Sequence, residues 1–294
     1  MYSAHTRSLL LVLSAGVLWS TVGLGIRLIE DADVWQILLY RSISLSIFLY
    51  IVIYLRSGVS PFQQIIQAGL PGVIAGLSLV GAYAGGIYAI QNTSVANAML
   101  LFAAAPFLAA VLGWVVIGER VYRATWISIC FAVLGIAIMV GNQTFDGSLK
   151  GSFAALGSAL GFAAFTVTLR WGKETEMLPS VFLSGIFGVV ITAMICAGLG
   201  LPLLISAQDF GISIGMGVFQ VGAGLVLYTL GSKSLPAVEL TLMSLGEVLL
   251  APLWVWLLLG ETVTSNILAG GCILLGAIAG NAIFSSRLRP PALL

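Results

Sequence analysis

Residues 236–262 read PAVELTLMSLGEVLLAPLWVWLLLGET. The stretch is almost wholly apolar. At about 1.5 Å per residue it is long enough to cross the roughly 30 Å hydrocarbon core of a bilayer as a helix. Glu247 sits near its middle. A carboxylate at that depth costs a few kcal/mol even on lenient insertion scales, so a partner, a proton or a water-filled cavity has to compensate it. Residues 94–120 echo the stretch: SVANAMLLFAAAPFLAAVLGWVVIGER closes on Gly118-Glu119 as the later one closes on Gly260-Glu261.

The composition surrounding these stretches is that of a polytopic membrane protein. Of 294 residues, 60% are hydrophobic and 8% charged, against roughly 25% charged in soluble domains. A net charge of +1 gives no reason to expect a nucleic-acid partner. Cys130, Cys196 and Cys272 each fall inside apolar runs and read as packing residues rather than disulfides or a metal cluster. His5, the single histidine, lies in the polar N-terminal segment. The first apolar run continues past Trp19 to Ile26 without a convincing cleavage site, so it reads as a first span.

Ten apolar runs of spanning length follow: 8–29, 34–55, 67–90, 95–117, 122–141, 151–171, 179–200, 210–231, 237–259 and 263–284. Short connections make neighbours antiparallel hairpins. With both termini cytoplasmic, the inner ends hold Arg7, Arg56, Arg120, Arg123, Arg170, Lys173, Lys233, Arg287 and Arg289, and the outer ends only Arg27 and Lys150. That bias fixes the expected orientation. Arg41 lies inside the second span, roughly 10 Å below the outer boundary.

A shift of 143 places Arg27 on Arg170, Trp19 on Phe162 and Gly81 on Gly224, and a shift of 142 places Glu119 on Glu261. The expected units are 1–142 and 143–294, each with five spans. Five is odd, so the second half is inverted relative to the first, as in secondary transporters with a midplane site between their halves. The expected fold is an all-α integral membrane protein of ten transmembrane helices in two inverted five-helix repeats.

Several residue runs carry a family resemblance. They are Leu18-Trp19-Ser20 with Arg27, the run from Tyr88 to Ser94 leading into Asn97 and Ala98, Pro106, Gly118-Glu119, a glycine-rich fifth span, Glu247, Pro252, and Leu259-Gly260-Glu261. In this order, over essentially the whole chain, they resemble the EamA family of the drug/metabolite transporter superfamily. Within it, the chain is most similar to bacterial exporters of aromatic and other amino acids of the YddG type. One departure is Val248 after Glu247, where many members have proline. Pro252 comes later, which moves the expected helix break. The expected mechanism is alternating access between the two halves, and minimal tails and loops without an organelle signal give a bacterial inner (plasma) membrane location as the expectation.

Seven residues are candidates for substrate binding: Glu247, Gln220, Trp19, Tyr83, Asn97, Phe162 and Ser244. Glu247 reads either as a cavity acid for a substrate ammonium or a proton, or as a buried acceptor tying span nine to a neighbour. The helical face of Glu247 includes Leu240, Met243, Ser244, Leu250, Ala251 and Trp254. Gln220 and Asn97 carry amides that need partners from substrate or from neighbouring helices. Trp19, Tyr83 and Phe162 are the aromatics placed deepest, away from interfacial belts. Arg41 could pair with Glu247 or snorkel outward; the resemblance puts its span at the cavity periphery, so a structural role is expected for it. Glu119 and Glu261 read as ties between hairpin ends. The spacings Gly72-Gly76, Gly81-Gly85, Gly157-Gly161 and Gly211-Gly215 read as helix-packing ridges, and Pro106 and Pro252 as kinks.

Scarce charge at depth speaks against phosphate-bearing substrates. One acid, amides and aromatic walls suit small neutral or zwitterionic metabolites, amino acids including aromatic ones. The partners expected are a small-molecule substrate and the lipid bilayer, in a chain compatible with a monomer. The alternatives are a proton-coupled exporter of cationic drugs or nucleosides, and a passive channel. An intramembrane enzyme would need a nucleophile with a base or a metal centre. The sequence offers no such set at depth, and no cofactor is implied.

Overall fold

The computed structural model describes residues 4–141, 148–172, 177–232, 235 and 237–288; the side chains of 4, 237, 238, 241, 244 and 285–288 lie outside the description. Among the described residues there is no strand. Nine helices among the described residues are long and apolar enough to cross a membrane, and a further apolar helix, Leu245–Leu259, is shorter. The chain is a multi-pass membrane protein.

The first span comprises α1 (Ala4–Ser20) and α2 (Val22–Arg27), and the second is α3 (Val34–Ser57). The junction at Thr21 has a local cause. Ser20 Oγ donates to Val17 O and Thr21 Oγ1 to Leu18 O, both at 2.7 Å, and such back-bonding competes with the helical ladder.

The third span differs from the run 67–90 expected from hydropathy. Helix α4 runs from Pro61 to Asn92, and Gly69 inside it adopts φ 58° and ψ −145°. This is a conformation that glycine alone adopts readily. The chain therefore turns sharply at Gly69, and a short leading helix precedes the span itself.

The fourth span comprises α5 (Val95–Phe102) and α6 (Ala105–Ile117). Pro106 has no N–H to offer the carbonyl one turn back, and the helix breaks just before it. Pro252 behaves differently: α12 (Ala237–Leu259) runs through it without a break. Helices α7 (Arg123–Val140), α8 (Ser148–Trp171) and α9 (Leu178–Leu199) form spans five to seven, and α13 (Ser265–Leu288) the tenth. The eighth span is α10 (Ala207–Gly215), a π-helical segment Met216–Ala223, and α11 (Gly224–Ser232). A π-helical turn is rare and concentrates at functional sites.

Close helix packing uses only some of the expected glycine ridges. A Cβ on Gly85 would sit 2.9 Å from Ala154 O, and one on Gly161 2.8 Å from Ser78 O. Backbone thus meets backbone between α4 and α8, and Ser158 Oγ donates across the contact to Ala82 O at 2.6 Å. Gly81, Gly157, Gly211 and Gly215 face open space instead. A contact absent from the expected set joins α7 to α13, where a Cβ on Gly135 would lie 2.6 Å from Gly270 O.

Asp209, wholly buried at the start of α10, anchors the loop between the first two spans. Its carboxylate accepts from the backbone N–H groups of Glu30 (3.0 Å), Asp31 (3.2 Å) and Ala32 (3.0 Å). Its own N–H donates to Ser206 Oγ, which caps α10.

Candidate substrate-binding site

The first and ninth spans run side by side in the same direction at one constant offset. His5 Nε2 lies 3.5 Å from Glu239 Oε2, Trp254 Nε1 donates to Ser20 Oγ at 2.9 Å, and Arg27 Nε donates to Glu261 Oε2 at 2.9 Å. Each pair is 234 residues apart. Glu247 belongs to the stripe of α12 that carries Ala251 and Trp254, so its stripe adjoins the first span.

Two ion pairs mark opposite ends of the fourth span. At one end Arg27 meets Glu261, Arg27 Nη2 donates to Thr93 O at 2.7 Å, and Glu261 Oε1 accepts from Val95 N at 2.7 Å. Spans one, four and nine are clamped together there. At the other end Arg170 Nη1 lies 3.2 Å from Glu119 Oε2, and Arg170 Nη2 donates to Ala109 O at 3.3 Å. That pair joins only spans four and six. Its side chains are 43% and 37% exposed, against 27% and 21% at the three-span clamp. The acids expected to tie hairpin ends each take an arginine from the other half of the chain.

Glu247 is half-buried and has no hydrogen-bond or ion-pair partner among the described residues. Gln220 occupies the π-helical segment, 7% exposed, and its Oε1 is buried without a partner. It lines a groove of about 220 Å³ with Leu18, Thr21, Gly25, Met216 and Phe219, between the bend of span one and the π segment. Trp19 lies one turn along the same interface, its ring against Gly224 and 5.2 Å from the ring of Tyr228.

Tyr83 and Trp19 pack on a common cluster containing Leu45, Leu79, Phe165 and Val221. The Arg41 guanidinium lies 4.8 Å from the centroid of the Tyr83 ring. Neither expectation for Arg41 describes this. It is 5% exposed, so it does not snorkel, and no ion pair joins it to Glu247.

The remaining candidates stand apart from this group. Asn97 is fully buried and donates to Thr93 Oγ1 (3.0 Å) and Ser152 Oγ (2.7 Å), tying span four to span six, while its Oδ1 has no partner. Phe162 is half-exposed and packs on Phe102 and Phe165, with centroids 5.6 and 5.8 Å away. It flanks the break in span four. The side chain of Ser244 lies outside the described residues. Asp209 was missed, although a serine three residues before an acid is a helix-start signal.

The sequence profile of the EamA-like transporter family matches residues 6–141 and, a second time, 149–283. The chain belongs to the EamA-like transporter family. It is 26% identical to the human protein "Solute carrier family 35 member G1" over 204 residues, covering 64% of this chain and 54% of that protein. It is 28% identical to "Protein RarD" of Escherichia coli (56% and 55% covered) and 29% identical to an "Uncharacterized transporter" of Archaeoglobus fulgidus (65% and 68% covered). The chain thus spans little more than half the length of the human relative it matches. A crystal structure of 20% sequence identity shares the fold, with a TM-score of 0.65 over 97% of this chain and 99% of the other.

Proposed function

We propose that this EamA-family protein exports small neutral or zwitterionic metabolites, chiefly amino acids including aromatic ones, by alternating access between two inverted repeats. The carrying observation is the Glu247 carboxylate, set midway along the ninth span without a partner among the described residues. An isolated acid at that depth asks for a cation, and a substrate ammonium supplies one. The rings of Trp19 and Tyr83 suit an apolar or aromatic side chain nearby.

The repeat gives the reading its motion. Arg27 and Arg170 are repeat mates, as are Glu119 and Glu261. Their two ion pairs lie at opposite ends of span four, one part-buried among three spans and one more exposed between two. In the proposed cycle the buried clamp closes one face while the other is open, and the two exchange roles. With both termini cytoplasmic in a bacterial inner membrane, the closed face is the outer one. The substrate class is taken from the residue runs that resemble aromatic amino acid exporters of the YddG type, a finer step than the family match itself.

Counterflow tests this directly. Proteoliposomes preloaded with unlabelled tryptophan, threonine or methionine are given labelled amino acid outside, with and without a pH gradient. Saturable accumulation of label without a gradient, lost in Glu247→Gln, is expected. Flux of cationic drugs or nucleosides that requires a pH gradient, with no amino-acid exchange, would replace this reading with a proton-coupled one. Leakage that does not saturate would make the protein a channel.

A further inference from the structure

Arg41 is a cation buried at membrane depth with no carboxylate beside it among the described residues. Its span, α3, packs against α4, α9, α10 and the π segment of the eighth span. The residue is 5% exposed, and its Nε is enclosed without an acceptor. No carboxylate pairs with it, and none of its five donors has a hydrogen bond among the described residues. An unpaired buried guanidinium is among the most costly groups a protein can hold.

Its surroundings hold the head group in place without neutralising it. The guanidinium stacks over the Tyr83 ring at 4.8 Å. A quadrupole attracts a cation but takes none of its hydrogen bonds. The backbone at Arg41 is fixed as well, because its carbonyl lies against Gly217, where any Cβ would collide with it. The planar fork is therefore positioned and left with its donors free. Gln220, three residues beyond Gly217, also makes no hydrogen bond among the described residues.

We propose that Arg41, held over Tyr83, binds the carboxylate of the transported molecule. This rests on the transport reading above and deepens it. Among the described residues Glu247 is an acid, and Arg41 a guanidinium, without a partner, and they do not pair with each other. A zwitterion answers both: its ammonium goes to Glu247 and its carboxylate to the guanidinium fork, with the Gln220 amide free to donate as well. Arginine suits this role because its donors match a carboxylate two at a time. A substrate with an amine and no carboxylate leaves Arg41 unsatisfied, which turns a buried charge into a selectivity filter.

The test uses the full chain in liposomes and four related probes: tryptophan, tryptophan amide, tryptamine and indole-3-propionate. The native protein is expected to prefer tryptophan over its amide by about tenfold to a hundredfold, the worth of one or two charge-assisted hydrogen bonds. In Arg41→Gln that preference collapses to near unity, while inhibition by tryptamine changes less than about threefold. Arg41→Lys, which keeps the charge and loses the fork, is expected to fall between. A structural tie would lower every flux together and leave the ratio unchanged; a retained preference in Arg41→Gln overturns the proposal. If Arg41→Gln does not fold, the ratio in Arg41→Lys decides: a native ratio overturns the proposal. If the native protein moves no amino acid, the transport reading fails. Binding of indole-3-propionate, read as thermal stabilisation, then decides Arg41. Stabilisation lost in Arg41→Gln or Arg41→Lys sustains an anion site, and no stabilisation by the carboxylate overturns it.

Discussion

Arg27 and Glu261 join chain segments 234 residues apart through a 2.9 Å ion pair, and each also binds the backbone at the start of the fourth span. The pair formed by Arg170 and Glu119 has the same chemistry but is more exposed, at 43% and 37% against 27% and 21%. Burial and extra hydrogen bonds should separate their strengths. A double-mutant cycle with Arg27→Gln and Glu261→Gln, read by thermal unfolding in nanodiscs, is expected to give a coupling of about 1–3 kcal/mol. The cycle with Arg170→Gln and Glu119→Gln should stay below about 1 kcal/mol, as for screened surface pairs. Equal couplings would remove the asymmetry on which the proposed closed face depends.

Glu247 gives an opposite expectation for stability and function. An acid without a partner in the membrane interior is a standing cost, and neutralising it removes that cost. Glu247→Gln should leave the fold as stable as before or more stable by about 1 kcal/mol, the usual trade-off at a functional position. Counterflow should fall at least about tenfold in the same preparation. Loss of stability with transport intact would make Glu247 a tie between helices.

Asp209 is expected to matter only for structure. Its carboxylate accepts three backbone N–H groups from the loop after the first span. Asp209→Ala strands those donors in a buried site and should cost about 2–4 kcal/mol. Asp209→Asn keeps an acceptor oxygen and should cost less. Thermal melts of the two variants rank them, and the reverse order would show that charge, not the count of acceptors, holds the loop.

Two glycines one turn apart provide an internal control. Gly161 lies against the backbone of α4, and Gly157 faces open space. Gly161→Ala should destabilise by about 1–3 kcal/mol through overpacking, and Gly157→Ala should be neutral or slightly stabilising because alanine favours the helix. Similar melting shifts for both would mean that α4 and α8 can separate without cost.

Much of this architecture was legible in the sequence, because length and hydropathy alone define a membrane helix. The 142- and 143-residue offsets already aligned the two arginines and the two glutamates. Which arginine met which glutamate was not legible, since a repeat relates equivalent positions and says nothing about contacts between halves. The leading turn of α4 was hidden because Gly69 is an unremarkable letter until its backbone angles are known. The π segment, MGVFQVGA, contains no proline and reads as an ordinary helix. Arg41 was visible, but its position over Tyr83 depends on how spans two and three pack, which periodicity does not fix. Asn97 looked like a cavity amide, and its donors turned out to be committed to Thr93 and Ser152.

The fixed offset between the first and ninth spans also sets an order of events during synthesis. Arg27 emerges from the ribosome 234 residues before the glutamate it needs. At about 5–20 residues per second that wait lasts roughly 10–50 s. Until then the Arg27 side chain has the Thr93 carbonyl, 66 residues on, as an acceptor but no carboxylate. The hairpins between can settle earlier, but the bundle cannot lock until nearly the whole chain has been translated. A ribosome stalled before the ninth helix would therefore leave a nascent protein whose first helix has the eighth span beside it but lacks the ninth.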